Sequence, residues 1–395
     1  METYRVAILG CRSRGTASGQ AYHAHPRTEV VGICDLESER RDTLGNLLGI
    51  SARYADLDVM IKETSPDIVA VPTGTEFHYD LCMRVLDHGC INIDVEKPIC
   101  AELAQADALL KKAKKVGARI SVHHQGRSGA ALKAVSNALE AGKIGDLRHI
   151  SVSGKGYYGG YGLMNIGTHT INAMLELTGH CHRVTASLMT DGRQPVPDDV
   201  VPSPNGMGTI AGEHMTAILE FGKSVTVTLT QHRFPVVDPT AHSFEVFGSE
   251  GRLFWHSSGA WWLPVPHFIP DNSEWQALKL EAPPDYDSTF KAKEDEYLYV
   301  DDYVQALDGD MDPPSNGAEG LHVMEIMMGI FESGAYGRPV SLPQEHRDHP
   351  LLRWRKELGI KEPGEMPRPY GDWLVAEGNR LGWDSSRTGY RASQV

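Results

Sequence analysis

Asp94-Val95-Glu96-Lys97-Pro98 is the stretch of sequence from which the fold prediction starts. It follows Cys90-Ile91-Asn92-Ile93, an apolar run whose length and β-branched content are typical of a buried strand. Pro98 cannot continue a central strand, so the backbone must leave the sheet there. Glu96 and Lys97 are therefore predicted at the carboxyl end of an inner strand, where open α/β sheets bind ligands. A lysine in that place can act in proton transfer, although a salt-bridged strand end would contain the same residues.

The amino-terminal segment predicts a phosphate-binding turn. A buried strand over residues 4–9 is followed by a glycine turn and a helix, the context that a dinucleotide fingerprint requires. Gly10 and Gly15 occupy its first and third glycine positions, whereas Arg12 stands at the second. Arg12 can supply charge to cofactor phosphates, and Ser13 and the helix N-terminus add donors. The predicted cofactor residues of this turn are Gly10, Arg12, Ser13, Arg14 and Gly15.

The next predicted strand ends in Asp35, twenty residues after Gly15. This spacing is typical of a carboxylate that binds an adenosine ribose, and a carboxylate repels a 2′-phosphate, so the cofactor is predicted to be NAD. Arg40, at the start of the next helix, could stack on adenine or weaken the preference for NAD over NADP. The alternative for Asp35 is an N-cap of the following helix.

The strand over residues 68–71 is followed by a turn and a helix that contain Thr73, Thr75 and His78. These residues are predicted to face the cofactor, as are Glu96 and Lys97, although a histidine at a helix start is often only a polar surface residue. Alternation of strands and helices continues to residue 125. It predicts a doubly wound parallel sheet, a Rossmann domain, over residues 1–125.

After residue 125 the pattern changes to successive strands with few helices between them. Residues 126–345 are therefore predicted to form an α+β domain with a largely antiparallel sheet. The tail over residues 346–395 contains Trp354, Trp373 and Trp383, and it is predicted to dock on the body or on a neighbouring subunit.

Glycines and tyrosines cluster over residues 156–162 and predict a mobile loop. The helix after it places Asn165, His169 and Asn172 on one face, since they are four and three residues apart. His169 is a candidate general base, and the alternative is a histidine that satisfies local hydrogen bonds. Further candidates line a substrate pocket, each with a surface or core role as the alternative: His124, Arg127, Tyr157, Tyr158, Tyr161 and His232.

Composition excludes several classes of partner. The chain has 395 residues and a formal net charge of −14, which argues against nucleic acid and anionic membrane surfaces. Its six cysteines have no Cys-x-x-Cys spacing, so we expect reduced thiols, a cytoplasmic location and no metal site. We expect neither a signal peptide nor a membrane-spanning segment.

The combination of motifs resembles the Gfo/Idh/MocA family of NAD(P)-dependent oxidoreductases over nearly the full length. The resemblance rests on the glycine turn, Asp35, the turn before His78, the Glu96-Lys97-Pro98 stretch and the Gly-x-His start of the helix that contains His169. Later matches are Phe247-Gly248-Ser249-Glu250-Gly251 and Gly337-Arg338-Pro339-Val340.

The resemblance implies that Lys97 and His169 flank a substrate hydroxyl, with a homo-oligomer, a dimer or tetramer, formed through the antiparallel sheet. Two positions depart from the family. Arg12 replaces the usual middle glycine. Asn165 stands where the family commonly has an aspartate, and the asparagine amide cannot share a proton at neutral pH.

Three functions follow as expectations. The first is an NAD-dependent enzyme that transfers hydride between a ring hydroxyl carbon of a sugar, glycoside or polyol and nicotinamide, with Lys97, His169 and Asn165 at the hydroxyl. The second is a glycosidase that uses NAD without net consumption and needs a further base, from the tyrosine-rich loop or His124. The third is a non-catalytic NAD-binding sensor.

Overall fold

The computed structural model of the chain describes residues 3–281, 286 and 292–383. The chain divides into two compact units. The first comprises residues 1–129 and 282–321, and the second comprises residues 130–281 and 322–395. The first boundary lies close to the predicted one at residue 125. The sequence predicts that residues 282–321 belong to the second domain. The structure instead assigns them to the first unit.

The first unit contains a six-stranded parallel sheet. Its strands are β1 (Tyr4–Leu9), β2 (Thr28–Cys34), β3 (Arg53–Tyr54), β4 (Ile68–Val71), β5 (Asn92–Glu96) and β6 (Arg119–His123). The helices between them are α1 (Ser13–Ala24), α2 (Ser38–Leu48), α3 (Leu57–Thr64), α4 (Thr75–Asp87) and α5 (Leu103–Val116). The strand order β3-β2-β1-β4-β5-β6 confirms the predicted doubly wound sheet. Because the strands are parallel, the turns that follow β1, β2, β4 and β5 share one edge.

The second unit contains a nine-stranded mixed sheet. Its helices in this part of the chain are α6 (Ala130–Glu140), α7 (Gly159–Gly162) and α8 (Thr168–Thr178). The strands are β7 (Leu147–Ser153), β8 (Cys181–Met189), β9 (Val201–Pro202), β10 (Thr209–Ile210), β11 (His214–Phe221), β12 (Thr226–His232), β13 (Ser243–Gly248), β14 (Arg252–His256), β15 (Gly259–Leu263), β16 (Gln276–Ala277) and β17 (Val340–Ser341). The order is β16-β15-β14-β13-β7-β12-β11-β8-β17, with β9 and β10 forming a separate ribbon. The sheet is largely antiparallel, as predicted, and β12 pairs with β7 in parallel.

Helix α9 (Glu294–Asp308) completes the core of the first unit. Its residues Val300, Val304 and Leu307 share one helical face and pack in a buried cluster with Val6 and Ile8 of β1. The helix also packs against α1. A local sequence pattern cannot reveal this return, because strands β7 to β16 lie between the two parts in the chain.

The remaining elements are α10 (Gly317–Tyr336), which begins in the first unit, and two tail helices, α11 (Pro350–Glu357) and α12 (Tyr370–Leu381). The tail packs on the second unit of the same chain. Trp373 is fully buried there, and its indole Nε1 donates to the carbonyl oxygen of Pro202 at 2.9 Å. Residues 384–395 of the predicted tail lie outside the described residues.

All six cysteines are buried free thiols. Among the described residues, no helix combines the length and the apolar character needed to cross a membrane. Within the same ranges, no group of three or more acidic, histidine or cysteine side chains is arranged to hold a metal ion.

Candidate functional site

The glycine turn after β1 is closely packed. Gly10 has a φ of +113°, and a Cβ there would lie 2.9 Å from the carbonyl oxygen of Pro72. A Cβ at Gly15 would lie 1.9 Å from the carbonyl oxygen of Gly10, so both positions require glycine. Arg12 and Ser13 are exposed at the N-terminus of α1. Free backbone N–H groups at such a terminus favour an anionic group.

Asp35 is tied to this turn. Its carboxylate accepts hydrogen bonds from the backbone N–H of Cys11 at 2.8 Å and of Glu37 at 3.0 Å. Arg40 lies 3.5 Å from the same carboxylate. The N-cap residue of α2 is Glu37, so Asp35 does not cap that helix. An ionised carboxylate has further acceptor positions, and these suit a ribose diol.

His78 connects two turns at the same edge of the sheet. Its side chain is fully buried, with Nδ1 2.8 Å from the carbonyl oxygen of Pro98 and Nε2 3.2 Å from that of Thr73. Burial lowers the pKa of His78, and a neutral imidazole can donate to only one of these two carbonyl oxygens. The structure therefore places His78 between the turn after β4 and the turn after Lys97. Thr75 is also buried.

Arg14, predicted to bind the cofactor, lies between two carboxylates. Its Nε donates to Oε2 of Glu96 at 2.9 Å, and its Nη1 donates to Oε1 of Glu296 at 2.7 Å. Glu96 is 5% exposed and Glu296 is 2% exposed, so both charges need this partner. Arg14 thus fixes the end of β5 to helix α9.

His123 carries the second cation of this buried cluster. Its Nδ1 lies 3.0 Å from Oδ2 of Asp94, and its Nε2 lies 2.7 Å from Oε2 of Glu296. Burial alone would lower the pKa of His123, but the charges of Asp94 and Glu296 outweigh it and raise the pKa to about 10. Tyr22 and Tyr299 donate their hydroxyls to Asp94 at 2.9 and 2.7 Å. Both oxygens of Asp94 are therefore engaged, whereas Oε1 of Glu96 has no hydrogen-bond partner among the described residues.

Sequence reasoning missed this cluster, which we name the strand-end network: Arg14, Asp94, Glu96, His123 and Glu296. One signal was present, because Asp94 and Glu96 alternate along an otherwise apolar strand, and buried carboxylates require partners. The partners themselves could not be identified, since they come from α1, β6 and α9.

Lys97 follows directly after the network and is only 6% exposed. His124, a predicted pocket residue, is 1% exposed. Burial, followed by the nearby charges of Lys97, His123 and Arg127, lowers the pKa of His124 far below its usual range. His124 is therefore a neutral imidazole near the Lys97 ammonium, and Arg127 is half-buried.

Asn165 and His169 lie on a helix with an irregular start. A π-helical turn over Leu163–Gly167 contains Asn165, and α8 begins directly after it. Such turns frequently occur at functional sites. Asn165 and His169 are both half-buried, whereas Asn172 is fully buried. Asn172 therefore faces the interior, in contrast to the two other residues of the predicted face.

The tyrosine-rich segment is not a mobile loop, so that prediction is wrong. Tyr157, Tyr158 and Tyr161 are at most 7% exposed. A Cβ at Gly159 or Gly160 would lie 2.7 or 2.8 Å from a neighbouring backbone carbonyl oxygen. These glycines therefore permit close packing and do not indicate flexibility.

The predicted pocket residue His232 lies at the end of β12. Its Nε2 is 3.0 Å from the hydroxyl of Thr216, and its ring centroid is 5.4 Å from that of His214. These contacts join β12 to β11.

Comparison with protein families gives two matches. Residues 4–124 match GFO_IDH_MocA, described as an oxidoreductase family with an NAD-binding Rossmann fold. Residues 138–342 match its C-terminal alpha/beta domain. Together the two matches cover most of the chain and end at residue 342.

Two relatives are dehydrogenases by name. The chain is 29% identical to D-apiose dehydrogenase of Paraburkholderia graminis over 145 residues, which cover 37% of this chain and 38% of that protein. It is 25% identical to D-glucoside 3-dehydrogenase of Escherichia coli K12 over 190 residues, which cover 44% of this chain and 54% of that protein. The chain thus matches less than two thirds of either relative.

A solved levoglucosan dehydrogenase, in complex with NADH and levoglucosan, has the same fold. Its TM-score is 0.70 at 17% sequence identity, and the match covers 87% of this chain and 100% of that chain. At this identity the likeness supports the fold.

Proposed function

Because this chain belongs to the Gfo/Idh/MocA family of oxidoreductases, we propose that it is an NAD-dependent enzyme that acts on a sugar, a glycoside or a polyol. Hydride is exchanged between a ring hydroxyl carbon and nicotinamide. The observation that carries the proposal is Lys97, a buried lysine at the carboxyl end of β5, directly after the ion-paired Glu96. The names of the two relatives support a carbohydrate substrate.

The first unit is an NAD-binding Rossmann domain. Its residues fit the cofactor, because Gly10 and Gly15 keep the turn compact and the exposed N-terminus of α1 suits a pyrophosphate. We assign Asp35 to the adenosine ribose and Arg12 to the phosphates. When bound, NAD supplies the hydride acceptor.

The chain itself binds the substrate hydroxyl and moves its proton. We assign this proton transfer to Lys97 or His169, since both side-chain types accept and release protons. The half-buried Asn165 binds a hydroxyl without taking a proton, because an amide does not titrate. His124 is neutral and adds no second positive charge beside Lys97.

A redox-neutral glycosidase would require a further base, which the sequence placed in the tyrosine-rich segment or at His124. Tyr158 does not suit that role. Burial, followed by the charge of Glu377, raises the pKa of its hydroxyl well above the usual range. This argues against Tyr158 as the further base.

The test is a screen of free sugars, inositols and aryl glycosides with NAD, recording NADH absorbance and aglycone release in parallel. We expect NADH to accumulate in proportion to the oxidised carbohydrate. Aglycone release without net NADH would identify the glycosidase. Tight NAD binding without turnover on any compound would contradict the enzyme proposal.

A further inference from the structure

The C-terminal tail lies beyond the part of the chain that matches the family, which ends at residue 342. Helix α12 nevertheless docks firmly on the second unit. Trp373 is fully buried and its ring lies edge-on to Tyr158, with 4.9 Å between the centroids. Glu377 is also fully buried and is held by Arg380, whose Nε donates to its Oε2 at 2.7 Å.

The first residue of α12 completes an aromatic cluster with the tyrosine-rich segment. The ring of Tyr370 is stacked on Tyr161 at a centroid distance of 4.9 Å and is edge-on to Tyr157 at 5.1 Å. Its hydroxyl accepts a hydrogen bond from the backbone N–H of Tyr158 at 2.9 Å. The tail therefore immobilises the segment directly before Asn165.

The tail also holds Asn205, which lies in the loop before β10. The backbone N–H of Asn205 donates to the carbonyl oxygen of Arg368 at 2.8 Å. Its φ is +58°, a conformation that asparagine tolerates better than most residues. The side-chain Nδ2 then donates to the hydroxyl of Tyr161 at 2.8 Å.

Tyr161 joins these contacts to the predicted site. Its hydroxyl also accepts from Nδ2 of Asn165 at 3.0 Å. A hydroxyl has two acceptor lone pairs, so the two amide donors occupy both of them.

We propose that the tail is a specificity element that acts through Asn205 and Tyr161 to orient Asn165. The oriented amide of Asn165 contacts the carbohydrate, so loss of these contacts weakens substrate binding. The inference rests on the proposed function, because Asn165 must contact the substrate. Asn205, Tyr161 and Tyr370 are positioning residues.

The experiment compares Tyr161→Phe and Asn205→Gly with Tyr336→Phe in the full chain. Glycine keeps the backbone angle at position 205 accessible. Tyr336→Phe is the matched control, because it also removes a hydroxyl that holds the tail, 2.8 Å from Oε2 of Glu357 on α11. With myo-inositol and saturating NAD, we expect the first two variants to raise KM about three- to tenfold. The kcat and the NAD dissociation constant should change less than about twofold, and the control should match the parent.

A double-mutant cycle separates positioning from general loosening. Tyr161→Phe should have no further effect on KM in an Asn165→Ala background, because its action passes through Asn165. Additive effects in the double variant would overturn the inference, as would an unchanged KM in both single variants.

Failure of the proposed function would be seen separately, as a parent enzyme that oxidises no polyol. Crystal structures of the parent and Asn205→Gly then decide on the positioning role. A rotated Asn165 amide in the variant is the expected result, and an unmoved amide would overturn the inference.

Discussion

Nε2 of His123 lies 2.7 Å from Oε2 of Glu296, which follows it by 173 residues in the chain. This contact joins β6 to helix α9, the element that returns to the first unit. The strand-end network contains three carboxylates and two cations, and Lys97 follows it with a further positive charge. Charges buried at the end of β5 are therefore compensated beside the lysine that we assign to proton transfer.

Loss of the imidazole should destabilise the first unit. His123→Leu leaves Asp94 and Glu296 buried without the cation between them, which is expected to cost about 3–5 kcal/mol of unfolding free energy. The control is His88→Leu, since His88 pairs with the partly exposed Asp58 and its loss should cost much less unfolding free energy. Urea denaturation measures both. Equal effects of the two substitutions would contradict the role given to His123.

The same residue predicts a loss of stability at alkaline pH. The pKa of His123 is raised from 6.5 to about 10 in the folded protein, so the folded state binds this proton more tightly than the unfolded state. The contribution of protonated His123 to the unfolding free energy is complete below about pH 6.5 and is lost as the pH rises through about 10. Between these two pH values the unfolding free energy should fall by about 1.4 kcal/mol per pH unit. Thermal unfolding from pH 6 to 10 measures the slope. His123→Leu should lack it, and parallel curves for parent and variant would refute the prediction.

Asp35 should determine the choice of cofactor. Its carboxylate, held by the backbone N–H of Cys11, can bind a ribose diol and repels a 2′-phosphate, so NAD should bind more tightly than NADP. Asp35→Ala should weaken NAD binding about tenfold or more and should bring the affinities for NAD and NADP closer together. Asp42→Ala removes the same charge from the exposed side of α2 and is the control. Calorimetric titration measures the dissociation constants of NAD and NADP. Equal affinities in the parent would rule out the assignment of Asp35 to the adenosine ribose.

Asn165 should distinguish net oxidation from redox-neutral hydrolysis. Asn165→Asp introduces the residue that the family commonly has, and it should keep or raise the rate of NADH formation with a free sugar. Asn137→Asp changes an exposed residue of α6 in the same way and should have no effect. Aglycone release that needs only catalytic NAD, with washout of deuterium from C2 into solvent, would favour the glycosidase instead.

Sequence patterns identify the parts of the fold that are encoded locally. Ile93 and Val95 are buried in β5, and Pro98 ends the strand-like run, so β5 could be predicted together with the turn that contains Lys97. The glycine turn and Asp35 could be found for the same reason, since their spacing lies within one βαβ unit.

Contacts between distant segments could not be predicted. Glu296 reaches His123 across 173 residues, and Tyr370 contacts the backbone of Tyr158 across 212 residues; no periodicity records either pairing. The glycines at 159 and 160 were misinterpreted for a related reason. Whether a glycine provides flexibility or close packing depends on the neighbouring backbone, and the neighbours here, Gln231 and Ala211, come more than 50 residues later in the chain.

Lys97→Ala tests whether Lys97 transfers the substrate proton. Turnover of a carbohydrate with NAD should fall by about two to four orders of magnitude, the loss expected for one positioned acid–base group. NAD binding should persist, because the glycine turn and Asp35 are unchanged. Lys112→Ala, which removes a lysine paired with Asp87 on the surface, should keep parental activity. A Lys97→Ala enzyme that binds NAD and turns over within a few-fold of the parent would show that Lys97 has only a structural role.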